Sequence, residues 1–82
     1  MWIFIESAEI VAIPENQITK IETDNATINI YFSRNNEAEQ AQIIFPSKEK
    51  AVSQILAFFR ALNRKDEAFF FSNPEAITLT SF

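Results

Sequence analysis

The absence of glycine is the feature that most constrains how this chain can fold. None of its 82 residues is glycine, whereas globular proteins average about 7%. Glycine adopts a positive φ more easily than any other residue, so turns that need this conformation must here use Asn or Asp, which tolerate it best among the rest. Glycine-rich phosphate loops and the dinucleotide-binding fingerprint are also excluded, because both depend on glycines at fixed positions.

One amphipathic helix is predicted over residues 47–63. At about 100° per residue, its apolar side chains fall within an arc of about 160°. These side chains are Ala51, Val52, Ile55, Leu56, Phe58, Phe59 and Leu62. Pro46 ends the segment that precedes the helix, and Ser47 is the expected N-cap.

The width of this apolar arc predicts how the helix packs. We expect Ile55 and Phe59 to be buried against a sheet. Leu56 and Phe58 lie at the two edges of the arc, which is wider than the roughly 100° stripe that one covering surface requires. A single sheet would therefore leave one of these two side chains exposed.

Four to five antiparallel strands are predicted before the helix, over residues 1–45. Residues 1–6 form an apolar run, which indicates a strand that is covered on both faces. Residues 9–13 are either a second strand or the continuation of the first. At the break between them, Ser7-Ala8, neither residue favours a hairpin turn, which favours a bend or bulge over a reversal. The two segments are therefore either one bent strand or a hairpin.

Turn residues and alternating apolar side chains mark the strands nearest the helix. Asp24-Asn25 predicts a two-residue hairpin loop with Asn25 at positive φ. Two strands follow, joined by a polar loop over residues 33–39. Their inward-facing side chains are predicted to be Ile28, Ile30, Phe32, Ala41, Ile43 and Phe45.

The elements together predict a single α+β domain over residues 1–82. Its sheet, over residues 1–45, is an antiparallel meander of four to five curved strands packed on the helix at 47–63. Residues 67–82 add a C-terminal strand segment, with a turn at 72–75.

Three short strand-like runs precede the helix, at residues 9–13, 18–22 and 28–32. Together with the segment 45–62, they resemble small bacterial domains with a pleckstrin-homology-like sheet. The resemblance implies a curved antiparallel sheet and one covering helix. The full family has seven strands and a helix that ends the domain, whereas here a strand follows the helix. The phosphoinositide binding of some members is not implied, because it needs a basic loop between the early strands, which this chain lacks.

The composition excludes several kinds of chemistry. The chain has no histidine and no cysteine, which excludes thiolate metal sites and Ser-His or Cys-His catalysis. Glu37 and Glu39 fit a solvated loop and not a calcium loop. Carboxylates that could do acid–base chemistry stand beside strands and turns: Glu6, Glu9, Glu15, Glu22 and Asp24. A domain of this size rarely encloses a substrate pocket, so we predict no catalytic residue, no metal, no cofactor and no enzymatic activity.

The net charge of −4 argues against nucleic acid and anionic membranes as partners, because phosphate binding depends on clustered Lys and Arg. Arg60 and Arg64 lie near the end of the predicted helix, where compensation of the helix dipole explains them. Residues 1–6 lack the basic segment of a signal peptide, and no run approaches the ~20 apolar residues that span a bilayer. We therefore predict a cytoplasmic protein.

Nine phenylalanines in so short a chain predict association with another chain. Residues 69–71 are three consecutive phenylalanines, which cannot all face one way in a strand, so both faces of that segment need to be covered. We predict a non-enzymatic interaction module that forms a homodimer or higher oligomer, in which residues 68–82 pack on, or add a strand to, a neighbouring chain. A different protein is the other partner considered. The predicted interface residues are Trp2, Phe58, Phe69, Phe70, Phe71, Ile77 and Leu79. The alternatives are a regulatory domain that binds a peptide or small ligand between helix and sheet and, third, an enzyme with its active site at a subunit interface.

Overall fold

The computed structural model describes residues 1–6 and 10–82. Within these residues the chain forms seven strands, one α-helix and a short 3-10 turn at Glu15–Gln17. The elements, in chain order, are β1 (Trp2–Ile5), β2 (Val11–Pro14), β3 (Ile18–Asp24), β4 (Thr27–Arg34), β5 (Glu37–Ile44), α1 (Lys48–Arg64), β6 (Ala68–Phe71) and β7 (Ala76–Ser81). The predicted α+β class is confirmed, and the helix begins and ends one residue later than predicted.

The strands form two sheets, ordered β2-β1-β6 and β3-β4-β5-β7. In the first, β1 pairs antiparallel with β2 and parallel with β6. The first two strands are thus antiparallel neighbours, which corresponds to the hairpin alternative and not to the favoured bend. Ser7-Ala8, where the bend was expected, lies outside the described residues. In the second sheet all neighbouring strands are antiparallel.

Both C-terminal strands pair within their own chain. β6 is an edge strand on β1, and β7 is an edge strand on β5. Residues 68–82 therefore have strand partners within their own chain, and their packing on a neighbouring chain stays a prediction. Each of these strands keeps one open edge, as every edge strand does.

Side chains from both sheets and from α1 form one buried cluster. All six predicted inward positions on β4, β5 and the residue after β5 are buried, which confirms the predicted alternation. The cluster consists of Ile3, Ile5, Ile13, Ile28, Ile30, Phe32, Ala41, Ile43, Phe45, Ala51, Ile55, Phe58 and Phe71. The strand register explains this, because inward residues of neighbouring strands face each other, as Ile28 does Ile43.

The orientation of α1 differs from the prediction. Its buried residues are Ala51, Ile55, Phe58 and Ala61. Phe58 is 1% exposed and Phe59 is 49% exposed, so the predicted burial of Phe59 is wrong. The physical reason is an aromatic cluster that involves β6: the ring centroid of Phe58 lies 5.4 Å from that of Phe69 and 5.6 Å from that of Phe71.

The ends of α1 are stabilised by local hydrogen bonds. The Ser47 hydroxyl accepts a hydrogen bond from the Lys50 amide at 3.2 Å, as the predicted N-cap should. At the other end Lys65 adopts the left-handed conformation, with φ 60° and ψ 42°. Its amide donates to the carbonyls of Ala61 and Leu62, which satisfies part of the last helical turn.

Asparagine occupies most of the positive-φ positions in the described residues. Asn25, Asn35, Asn36 and Asn73 have φ between 52° and 64°, and Lys65 is the exception. The first hairpin loop is Asn25-Ala26 and not Asp24-Asn25, because Asp24 pairs with Thr27. The predicted polar loop over 33–39 is a second two-residue hairpin, in which Arg34 pairs with Glu37 around Asn35-Asn36.

Candidate interaction surfaces

The outer face of the β2-β1-β6 sheet carries only apolar side chains within the described strands. Because Ile3, Ile5, Ile13 and Phe71 point into the core, the alternate residues of each strand point outward. We call these outward residues the aromatic sheet face: Trp2, Phe4, Ala12, Pro14, Ala68 and Phe70. The register places them in two rows, Pro14-Trp2-Ala68 and Ala12-Phe4-Phe70.

Two aromatic rings of this face stack on each other, and the face remains partly exposed to solvent. The Phe4 and Phe70 rings stack with their centroids 4.8 Å apart and their planes 16° from parallel. Even so, Phe70 is 53% exposed and Trp2 is 52% exposed. Stacking within the chain therefore covers only part of their surface.

The outer face of the β3-β4-β5-β7 sheet is largely polar, as expected for a sheet face that meets water. One row runs Lys20-Tyr31-Gln40-Thr80 across the four strands, and the next runs Glu22-Asn29-Gln42-Thr78. The Gln40 side-chain amide donates to Asn29 Oδ1 at 3.1 Å. An apolar outer face is thus specific to the three-stranded sheet and is not a general property of the chain.

Carboxylates border the aromatic sheet face. A cavity of about 180 Å³ beside the stacked rings is lined by Phe4, Glu6, Ile10, Phe70 and Ser72. A wider open depression at the other end is lined by Met1, Trp2, Pro14, Glu15 and Asn16. Glu15 Oε2 lies 3.2 Å from the amine of Met1, which offsets its charge. The border of this face therefore carries one net negative charge from these groups, on Glu6.

A second apolar surface lies on α1. Val52, Leu56 and Phe59 are 39%, 46% and 49% exposed, and their spacing of four and three residues places them on one line along the helix. We call these three residues the helix stripe. The exposure of Leu56 confirms that one edge of the wide apolar arc stays uncovered. Two shallow depressions follow the stripe, and their lining includes Lys48, Glu49 and Arg60.

The predicted interface residues have different environments. Trp2, Phe70 and Leu79 are exposed, while Phe69 and Ile77 pack partly against the core. Phe58 and Phe71 are buried in the core of their own chain, so neither side chain lies on a surface that a neighbouring chain could contact.

The interface residues predicted from the sequence do not include Phe4 or Ile10. The sequence also did not predict the helix stripe as an exposed surface. For Phe4 the signal was available in the pattern of β1. Its β-branched residues Ile3 and Ile5 alternate with the aromatic Trp2 and Phe4, so the two kinds of side chain occupy opposite faces.

The charged groups with perturbed pKa values do not line the depressions on either surface. The hydrogen bond from Arg64, with Nη2 2.8 Å from Oδ2, lowers the pKa of Asp66. The hydrogen bond to Glu22 raises the pKa of Lys20. The shifts at Asp66 and Lys20 each favour the charged form of that group, the opposite of a carboxyl kept protonated for acid catalysis. The described residues contain no group of three or more His, Cys, Asp or Glu placed to hold a metal ion.

The comparisons with known proteins give no relative for this chain. No family model matches it, and neither do any curated proteins or solved structures. In the described part of the chain, no helix has the length and apolar character needed to cross a membrane. The resemblance to pleckstrin-homology-like sheets stays a prediction from the strand pattern.

Proposed function

We propose that this chain is a small non-enzymatic interaction module that self-associates through its aromatic sheet face. One observation carries the proposal: all six outward positions of the described β2-β1-β6 strands are apolar, while the other sheet has a polar outer face. Exposed apolar surface of this kind costs free energy in water, and contiguous patches usually mark binding sites. A cytoplasmic location remains part of this proposal and rests on the sequence argument alone.

The size of the face sets the expected affinity. Trp2, Phe70 and Ile10 are exposed by half to two-thirds, and large side chains of this kind offer about 150–250 Å² each. The face, together with Ile10 beside it, therefore offers roughly 400 Å² of exposed apolar surface per chain, or about 800 Å² in total when a second chain covers it. Stable complexes bury about 1,200–2,000 Å² in total. The association should therefore be weak and reversible, with a clear dependence on concentration.

The alternative of a ligand held between helix and sheet has less support. Ala51, Ile55 and Phe58 fill that side of α1 and are at most 6% exposed. The cavity beside Phe4 and Phe70 lies on the outer face, and its volume of about 180 Å³ is below the roughly 300–1,000 Å³ of typical ligand sites.

Sedimentation equilibrium over a wide concentration range tests the proposal. The wild-type mass should rise above 9.4 kDa as concentration increases. Phe70→Glu should stay near that mass, because it places a charge on the face in place of the ring that stacks on Phe4. Thr78→Glu is the matched control, since Thr78 is an exposed strand residue on the polar sheet, and it should behave as wild type. A wild-type mass that stays at 9.4 kDa at the highest concentrations would overturn the proposal.

Point variants suit this test better than removal of residues 66–82. That truncation deletes β6 and β7 and takes Phe71 out of the core. Its effect on mass could not be separated from unfolding. Phe70 is half exposed, so its replacement leaves the core intact.

A further inference from the structure

We infer that the aromatic sheet face of one copy is covered by the helix stripe of a second copy, in a head-to-tail arrangement. The inference rests on the proposed self-association and specifies its geometry. Each chain carries one face of each kind, so every copy can bind two neighbours through different surfaces. Such heterologous contacts produce rings if the rotation between copies closes and open filaments if it does not.

The dimensions of the two surfaces match. From Val52 to Phe59 the helix stripe is about 10 Å long, at 1.5 Å per residue. The aromatic sheet face is three strands wide, which is also about 10 Å at roughly 4.8 Å between strands. A three-residue stripe thus crosses the whole sheet. The inner side of the same sheet already packs against α1 of its own chain, through Phe71 and Phe58, so a second helix on the outer side would complete a layer of helix on each face.

The charges around the two surfaces are complementary. Glu6 borders the aromatic sheet face, and Lys48 and Arg60 flank the helix stripe, with Glu49 as the one opposing charge there. No ion pair between described residues engages Glu6, Lys48 or Arg60. Two copies that each carry a net charge of −4 repel in general, so a contact that joins opposite charges is favoured.

The competing arrangement is isologous, with the same surface on both copies. Two aromatic sheet faces that meet about a two-fold axis bring the Glu6 borders of both chains to one interface. Two helix stripes that meet in this way bring together two surfaces that are each net positive. Like charges that face each other across an interface cost affinity. The head-to-tail arrangement avoids both situations.

Complementation between two variants tests the inference. Leu56→Glu disables the helix stripe and leaves the sheet face intact, whereas Phe70→Glu does the reverse. Both residues are about half exposed, so each variant should keep its fold, which circular dichroism and thermal melting verify. Each variant alone should self-associate at least about tenfold more weakly than wild type. An equimolar mixture should form a 1:1 heterodimer of twice 9.4 kDa and nothing larger, because one intact pair of surfaces remains.

Lys50→Glu is the control for the helix. Lys50 is exposed on α1 and lies roughly 150° around the helix from the stripe, by the 100° rotation per residue. The substitution changes the charge by two, more than Leu56→Glu does. Association similar to that of wild type would show that net charge alone does not explain the effect at Leu56.

The outcomes separate this inference from the proposed function. If the wild type is monomeric at all concentrations, the self-association itself is wrong. If the wild type associates but Leu56→Glu associates equally well, the helix stripe is not the partner surface and only the head-to-tail geometry is wrong. If both variants are monomeric and their mixture is also monomeric, the contact is isologous or uses both surfaces at once, and the inference is again overturned.

Discussion

Adjacent phenylalanines on α1 provide a test of how this fold is held together. Phe58 and Phe59 have the same side chain and the same helical backbone, but one is 1% exposed and the other is 49% exposed. Replacement of either by alanine changes helix propensity by the same amount. The difference between the two variants therefore reports packing alone.

The Phe58→Ala variant should lose about 3–5 kcal/mol of unfolding free energy, the usual range for a buried phenylalanine. Part of this loss comes from the contacts with Phe69 and Phe71, whose ring centroids lie within 5.6 Å, since such aromatic pairs add about 0.5–1.5 kcal/mol each. A domain of 82 residues has roughly 4–12 kcal/mol of total stability. Phe58→Ala is therefore expected to leave the chain marginal or unfolded, whereas Phe59→Ala should change stability by less than about 1 kcal/mol.

Equilibrium urea denaturation followed by circular dichroism measures both changes. Protein concentration must be low, because any self-association stabilises the native state by mass action. Phe58→Leu serves as a milder variant if Phe58→Ala does not fold. Its free energy of unfolding should be lower than those of wild type and Phe59→Ala and higher than that of Phe58→Ala. Equal losses for Phe58→Ala and Phe59→Ala, or a larger loss for Phe59→Ala, would refute the packing described for α1.

Two further predictions concern positive-φ residues. Asn25 and Asn36 have φ of 55° and 64°, so replacement of either by glycine should be neutral or mildly stabilising. Asn36→Val should lower the free energy of unfolding by more than about 1 kcal/mol, because a β-branched residue is strained at positive φ. Equal melting temperatures for the glycine and valine variants would contradict the turn geometry. Lys65→Gly should raise the free energy of unfolding by up to about 1 kcal/mol, since Lys65 occupies the left-handed position after α1 that usually carries glycine. A lower denaturation midpoint for Lys65→Gly than for wild type would show that the lysine side chain stabilises the fold by more than its backbone strain costs.

Local features of this fold could be predicted from the sequence because they depend on neighbouring residues. The absence of glycine predicted Asn or Asp at positive φ, and four of the five positive-φ residues in the described chain are asparagines. The helix, its Ser47 cap and the alternation of Ile28, Ile30 and Phe32 also follow from local pattern. The second hairpin, Asn35-Asn36, was not predicted, also for a local reason. The residues on either side of it are polar, so no apolar alternation marks the ends of the two strands.

Long-range pairing could not be predicted in the same way. The orientation of α1 depends on Phe69 and Phe71, which belong to the strand that follows the helix in the sequence. The apolar arc of the helix alone therefore could not show whether Phe58 or Phe59 is buried. The parallel pairing of β1 with β6 joins residues as far apart as Ile5 and Phe71. No periodicity within either segment specifies that partner, and β1 and β6 together form most of the aromatic sheet face.

Two features of the sequence nevertheless bear on the outer face of this sheet. An apolar run in β1 and three consecutive phenylalanines at residues 69–71 both indicate strands that are covered on two sides. Within the described residues, the fold covers their inner side with the core and leaves Trp2 and Phe70 about half exposed on the outer side. The one α-helix among the described residues lies on the inner face. The outer face is therefore open within these residues, and we propose that the exposed stripe on α1 of a second copy covers it, because that stripe has matching dimensions and charge.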